Sequence, residues 1–220
     1  MKDRARVVII GAGIVGASTA YHLAQSGCTD VLVVDQGPLF DTGGSTSHAP
    51  GGVFQVNYSK TMTEFARYTT QLYSGLESDG LPAWYPVGSL EVAWSNERLI
   101  DLRRKLGVAR SWGVAADLLS PQHANDLIPL LSSQIQGALH VPSDGIARAV
   151  RAVEAMASDS ESMGVEFVGN VVVTGFDIVD GRIRGLQTSK GPIEAEQILI
   201  ATGIWAPTTG AMAGITIPLI

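Results

Sequence analysis

The chain opens on Val7-Val8-Ile9-Ile10, four β-branched residues without a polar interruption. Such a run predicts a parallel strand buried on both faces rather than an alternating, half-exposed one. Glycines at 11, 13 and 16 follow, then helix formers from Ala17 to Gln25, with Gly27 where a helix stop belongs. Val31-Leu32-Val33-Val34 repeats the buried-strand pattern and is closed by Asp35. The first 35 residues therefore read as β-α-β, a crossover that is right-handed almost without exception.

Residues 37–59 lose this periodicity and become rich in Gly, Ser, Thr and Pro, a long loop with room for one short helix. Lys60–Glu77 has a helical pattern, Val87–Trp94 alternates like a strand, and Asn96–Trp112 looks helical with Ser95 or Asn96 as its cap. Ser120-Pro121 opens another helix, Ser as cap and Pro at the first helical position. Ala138–Val141 reads as strand, Ile146–Met163 as a long helix ending at Gly164, and Val165–Val168 as a short strand. Beyond these, Val171–Val179, Ile183–Thr188 and Pro192–Ala195 predict an antiparallel meander with tight turns at Asp180-Gly181 and Lys190-Gly191. Gln197–Ile200 returns to the buried parallel type and runs into Ala201-Thr202-Gly203; Ile204–Gly214 is compatible with a helix. The last residues, Ile217 to Ile220, form an apolar run without a polar tail, so a larger protein is expected.

Composition narrows the function classes. The 220 residues carry 15 Lys+Arg against 21 Asp+Glu, a formal net charge of -6, and no basic cluster longer than Lys2–Arg6 or Arg103–Lys105. That argues against a general nucleic-acid or membrane-surface binder, which needs clustered cations. An apolar share of 45 % with 16 % charged residues excludes a disordered chain. The single Cys28 allows neither an internal disulfide nor a zinc cluster, so no metal site is expected and a reducing, cytoplasmic setting is the default. No apolar run reaches the length of a membrane span, and the Val7–Ile10 stretch is too short for a signal-peptide core.

Gly11-Ala12-Gly13-Ile14-Val15-Gly16 fits G-x-G-x-x-G in its full context: a buried strand before it, a helix after it, and Asp35 nineteen residues past Gly16 at the end of the second strand. Gly11 makes the tight turn, Gly13 lets a diphosphate approach the backbone, and Gly16 lets helix and sheet pack closely. The helix start supplies free N–H groups and a positive dipole end. Asp35 can accept hydrogen bonds from a ribose diol and disfavours a 2′-phosphate. A purely structural Gly-rich turn is the bland alternative. An NAD domain would continue β-α-β-α-β; here a loop, a helical insertion, a meander and a returning strand follow instead. That layout resembles the FAD proteins of the D-amino-acid-oxidase and glutathione-reductase type, in which the Thr-Gly after the returning strand passes close to the flavin. By this resemblance Gly203 lies there.

A sharper resemblance lies in Gly43-Gly44-Ser45-Thr46-Ser47-His48-Ala49-Pro50-Gly51-Gly52-Val53-Phe54. It is similar to the segment carrying the flavin-linked histidine in the dimethylglycine oxidase and sarcosine dehydrogenase family. Asp35–Leu39, Gly88–Ala93, Leu118–Pro121 and His140–Gly145 also resemble that family, which extends the likeness over nearly the whole chain. The resemblance implies an α/β fold: a Rossmann-like FAD-binding βαβ domain with an inserted helical segment and an antiparallel meander, truncated. FAD-binding segments are expected at 1–80 and 145–215, and the start of a substrate-domain insertion at about 81–144. Implied cofactor-binding residues are Gly11, Ala12, Gly13, Ile14, Val15, Gly16, Asp35, Gln36, Ser45, Thr46, Ser47, His48, Gly52, Val173 and Gly203. Within that set His48 would bond the flavin 8α-methyl through an imidazole nitrogen, Gly52 would lie beside the flavin, and the Val173 backbone would meet the adenine. Ser45, Thr46 and Ser47 could bind the diphosphate or ribityl chain, or cap a helix. His22, His123 and His140 have no such context and read as structural or exposed.

The implied reaction is oxidative demethylation of an N-methyl glycine derivative, dimethylglycine or sarcosine, by hydride transfer to the flavin. Oxygen or an electron-transfer flavoprotein would be the acceptor, and tetrahydrofolate could bind a further C-terminal domain. Catalytic residues are expected beyond Ile220, so no general base is assigned and the chain alone is expected to be inactive. Competing readings are another D-amino-acid-oxidase-like amine oxidase, such as a sarcosine or glycine oxidase, a non-catalytic FAD-binding module, and an NAD-dependent dehydrogenase.

Overall fold

The computed structural model describes residues 1–40 and 43–219; positions 41 and 42, inside the predicted long loop, and 220 lie outside the described residues. In chain order the elements begin with β1 (Arg4–Ile10), α1 (Ile14–Gln25), β2 (Val31–Val34), α2 (Ser45–His48), β3 (Gly52–Val53) and α3 (Lys60–Ser74). Then come β4 (Glu77–Ser78), β5 (Leu81–Pro82), β6 (Trp84–Tyr85), β7 (Ser89–Ala93), α4 (Asn96–Ser111), β8 (Asp117–Leu119) and α5 (Pro121–Leu127). The chain closes with β9 (Gly137–Val141), β10 (Gly145–Ala147), α6 (Ala149–Ser162), β11 (Glu166–Val168), β12 (Val173–Val179), β13 (Arg182–Thr188), β14 (Gly191–Ile200) and α7 (Ala206–Met212). Two compact units share these elements: residues 1–49, 77–81 and 149–220 form the first, and residues 50–76 and 82–148 the second.

The first unit is built on a six-stranded mixed sheet of order β11-β2-β1-β14-β13-β12. β1 lies parallel to both β2 and β14, β2 is parallel to β11, and β12-β13-β14 is the antiparallel meander. The uninterrupted apolar runs are buried on both faces, as their pattern predicts. Val7, Ile9, Val31 and Val33 pack on one side with Ala17, Ala20 and Ala24 of α1 and Val153 and Ala157 of α6. Val8, Ile10, Leu32 and Val34 pack on the other with Val171, Leu186, Ile193 and Ala195. Each fully buried Val, Leu or Ile contributes about 1.5–3 kcal/mol. Alanines on the inward face of α1 let the helix sit close to the sheet and to α6. The Asp180-Gly181 turn has φ of 51° and 72°, the two positive values that a tight hairpin linking β12 to β13 needs.

Three expectations are corrected. The separate strands Pro192–Ala195 and Gln197–Ile200 are one strand, β14, whose first half pairs antiparallel with β13 and whose second half pairs parallel with β1; Glu194 opposes both Gly185 and Arg4. The helix read from Ile146 starts at Ala149, because Ile146 and Ala147 pair with Tyr85 and Trp84 in β6. The helix read to Glu77 ends at Ser74, capped at Gly75. In both helices the expected bounds came from an apolar pattern that short strand pairing overrode. Ser120 does cap α5, accepting from the His123 N–H, with Pro121 in the first turn.

The second unit holds the sheets β3-β10-β6 and β7-β9-β8. Its main core joins Val56, Ala93, Leu102, Ala109, Val114, Leu139 and Val141. Asp144 is 2 % exposed; its carboxylate accepts from the Gln55 N–H at 2.8 Å and from Ser89 Oγ at 2.6 Å. Burial pushes this carboxyl above its ordinary range, outweighing the opposing pull of Ser89, Gln55 and Lys105. A proton bound more tightly in the folded state stabilises at low pH, and that gain is lost as pH rises through the raised pKa. In Asp144→Asn the amide oxygen still accepts from Gln55 and the amide nitrogen donates to Ser89. Urea midpoints measured between about pH 4 and 7 should fall less steeply with pH in the variant than in the parent. Equal slopes would remove this role from Asp144. Among the described residues no helix is long and apolar enough to cross a membrane.

Candidate functional site

A cleft of about 420 Å³ opens in the first unit where β1, β2 and β14 end. Its volume falls in the usual range for small-molecule sites. The floor is the turn between β1 and α1. Gly11 has φ of 108°, and a Cβ there would sit 2.5 Å from the Ala201 carbonyl oxygen. A Cβ on Gly16 would sit 1.8 Å from the Gly11 carbonyl oxygen, so the helix start and the turn touch backbone to backbone. Gly13 is the N-cap of α1 and offers no side chain to the first-turn N–H groups. The start of a twelve-residue helix thus faces the cleft with its positive dipole end.

Asp35 follows β2 directly and is 8 % exposed. Its Oδ2 accepts from the Ala12 N–H at 2.8 Å and its Oδ1 from the Gly37 N–H at 2.9 Å. One carboxylate therefore pins the glycine turn to the end of the second strand. Asp35 also lines the cleft. On the far side α2 docks through Thr46, whose Oγ1 accepts from the Ile14 N–H at 3.0 Å. A Cβ on Gly13 would meet that same oxygen at 3.2 Å.

Of the residues singled out by sequence, Gly11, Gly13, Ile14, Val15, Asp35, Gln36, Ser45, Thr46, Val173 and Gly203 line the cleft. Ala12 and Gly16 stand behind it, one through its bond to Asp35 and the other through backbone packing. Ser47 and His48 are not among its lining: Ser47 Oγ donates to the Gly44 carbonyl at 2.9 Å, and exposed His48 brings Nδ1 to 3.0 Å from that carbonyl. Gly52 belongs to the second unit. The structure adds lining residues that sequence reasoning missed: Gly44, Val171, Val172, Thr202, and Trp205, Thr209 and Met212 near the C-terminus. The Val171–Val173 run reads as strand, yet β12 starts at Val173; Val171 and Val172 precede it, held by bonds to Asp35 and Ser189. Trp205 and α7 carried no recognisable motif.

The cleft suits a dinucleotide. Cβ-free positions bring backbone to the floor, a helix start whose N-cap residue has no side chain faces the cleft, the Asp35 carboxylate lines one edge, and Thr202 Oγ1 is a buried hydroxyl without a partner. The sequence profile described as FAD dependent oxidoreductase matches residues 6–220. The chain belongs to that family. The mouse pyruvate dehydrogenase phosphatase regulatory subunit is 33 % identical over 94 % of this chain and 24 % of its own length. Human mitochondrial sarcosine dehydrogenase is 31 % identical over 100 % of this chain and 25 % of its own length. Thus the chain spans about a quarter of the length of these two relatives. Among solved structures, L-proline dehydrogenase from P. horikoshii aligns with a TM-score of 0.89 at 26 % identity, covering 100 % of this chain and 58 % of that one. The family's α/β fold with its mixed sheet is the one described above.

Proposed function

We propose that this chain is the FAD-holding portion of an oxidoreductase that demethylates an N-methyl glycine derivative, dimethylglycine or sarcosine. The observation that carries this reading is the cleft floored by Gly11–Gly16 and edged by Asp35, in a chain similar along its whole length to a sarcosine dehydrogenase. Residues 1–80 and 145–215 are the proposed FAD-binding segments, and about 81–144 the proposed start of the substrate-binding insertion. Gly13 and the start of α1 hold the diphosphate, Asp35 and Gln36 a ribose, and Val173 the adenine side. Ser45 and Thr46 line the diphosphate or ribityl stretch, while Gly203 and Gly52 lie toward the flavin. FAD, when bound, supplies the acceptor for the hydride leaving the N-methyl carbon. This chain's residues bind and orient the cofactor, and no catalytic residue is assigned among them. Oxygen or an electron-transfer flavoprotein then serves as acceptor, and tetrahydrofolate binds a further domain. The single free thiol, Cys28, accords with a reducing, cytoplasmic setting.

His48 is the proposed covalent anchor. A carbonyl only accepts hydrogen bonds, so the contact with Gly44 assigns the proton to Nδ1 and leaves the Nε2 lone pair for bond formation. The test is acid precipitation of FAD-loaded protein, followed by absorbance of the washed pellet at about 450 nm. Colour is expected in the parent pellet and absent in His48→Ala. Colour confined to the supernatant would remove the covalent bond and keep FAD. No flavin in either fraction would overturn the FAD reading.

A second reading, a non-catalytic FAD-binding module, draws on the similarity to a protein titled a regulatory subunit. It predicts flavin binding with no turnover of sarcosine or dimethylglycine in any longer form of the protein.

A further inference from the structure

The basic run Arg103-Arg104-Lys105 is too short for a nucleic-acid groove, and the structure divides it. Lys105 turns back to pair with Glu91, whereas Arg103 and Arg104 are exposed. Exposed Arg110 stands seven residues after Arg103 on α4, two turns and about 10 Å along the same side of the helix. Arg67 of α3 joins them at the end of α4, where its Nη1 donates to the Trp112 carbonyl at 3.3 Å. No Asp or Glu lies between Asp101 and Asp117, and Asp101 is engaged by Arg98 and the Tyr58 hydroxyl. Among the described residues the side chains of Arg103, Arg104 and Arg110 make no ion pair or hydrogen bond. Elsewhere the cations meet acids, as in Arg4 with Glu194, Arg6 with Glu196 and Lys60 with Glu64. In a chain with 21 acidic residues to 15 basic ones, this corner of the second unit is a positive island. Gly107 lies within it, four residues after Arg103 and three before Arg110, hence on their side of the helix. It is exposed, and a Cβ there would meet nothing within 4 Å. Glycine inside a helix is destabilising relative to alanine, and neither packing nor backbone conformation in this chain accounts for it.

We infer that this side of α4 is a docking surface for an acidic protein segment, whose carboxylates meet Arg103, Arg104 and Arg110 and whose backbone lies close over Gly107. The opposite side of the helix is spent on the core through Leu99, Leu102, Leu106 and Ala109, so the arginine side serves no packing role. Guanidinium forks match carboxylates in bidentate pairs, and arginine is enriched at protein interfaces. The bare backbone at Gly107 lets a partner chain approach between the charges. A nucleic acid would call for a longer basic track with aromatic platforms. An anionic membrane would call for large apolar side chains among the cations, and here the intervening position is glycine. The inference is independent of the FAD reading.

The test titrates the full chain at low salt with a labelled poly-L-glutamate peptide, a single-stranded DNA oligonucleotide and phosphatidylserine vesicles. The peptide is expected to bind, and more weakly as salt rises. Replacing both arginines, Arg103→Gln with Arg110→Gln, should lower that affinity roughly tenfold, the scale of a few exposed ion pairs lost together. Gly107→Leu keeps every charge and favours the helix, yet should weaken peptide binding by about fivefold because its side chain fills the bare site. Gly107→Ala should raise the ligand-free Tm by about 2–4 °C, which would show that the glycine serves no need of the fold. A Gly107→Leu protein that binds the peptide as the parent does would reduce the arginines to unspecific attraction and overturn the inference. Tighter binding of DNA or vesicles than of the peptide would overturn it in favour of another class of partner. No peptide binding by the parent, or a Gly107→Ala protein that melts lower, would overturn it as well. The double arginine variant leaves Gly107 untouched, so it reads the surface even where a residue-107 variant fails to fold.

Discussion

Gly16→Ala is expected to abolish FAD retention and to destabilise the fold by about 3 kcal/mol or more, the upper end for overpacking. The added methyl would lie 1.8 Å from the Gly11 carbonyl oxygen and 3.3 Å from Ile9 Cγ2. The first obstacle is backbone, so no side chain can rotate away. Relief requires α1 to lift from the turn, which moves the helix start out of the cleft and separates Ala17 from the sheet. Gly175→Ala is the control, since a Cβ there meets only Gln187 Cβ at 3.9 Å. Urea unfolding followed by circular dichroism, with FAD titration of whatever remains folded, reads both effects. A Gly16→Ala protein as stable as the Gly175→Ala control would show that the close approach of turn and helix is dispensable.

Asp35→Asn should weaken FAD binding by about ten- to a hundredfold, from about 1–3 kcal/mol lost at one buried pair. Two backbone N–H groups, of Ala12 and Gly37, converge on the two carboxylate oxygens. An amide has one oxygen, so its NH₂ must face one of those donors. If Ala12 loses its acceptor, the glycine turn is released; if Gly37 does, the exit of β2 is released. Either way the cleft loses an edge and, on the proposed reading, a ribose acceptor. Calorimetric titration with FAD and a parallel urea midpoint separate the two consequences. Unchanged values in both would mean that the carboxylate neither pins the turn nor meets the ligand.

The legibility of this fold follows from where its information is local. Val7–Ile10, Gly11–Gly16 and Val31–Asp35 announce themselves because each step depends on residues within a few positions, and the Asp180-Gly181 hairpin is equally self-contained. The errors sit where distant pairing decides. Ile146 has the composition of a helix start, yet β10 exists because Gly52 and Tyr85 lie on its two sides. β14 reads as two strands because it changes partners, antiparallel to β13 at one end and parallel to β1 at the other. The cleft divides in the same way. Its glycines and acidic edge were visible as a motif, whereas the bond from Ile14 to Thr46 and the orphaned Thr202 hydroxyl depend on segments far apart in sequence.

β14 also imposes an order of events on biosynthesis. Arg4 opposes Glu194, and Ile10 opposes Ile200, so β1 gains its second neighbour only after residues 194–200 have been made. Closing so long a loop makes this pairing slow. Until then the Val8 and Ile10 edge is an open template for a foreign strand, and the cleft has no wall from Ala201 to Gly203. FAD capture is consequently a late event, and nascent chains arrested before about residue 190 would be the aggregation-prone species whatever the supply of flavin.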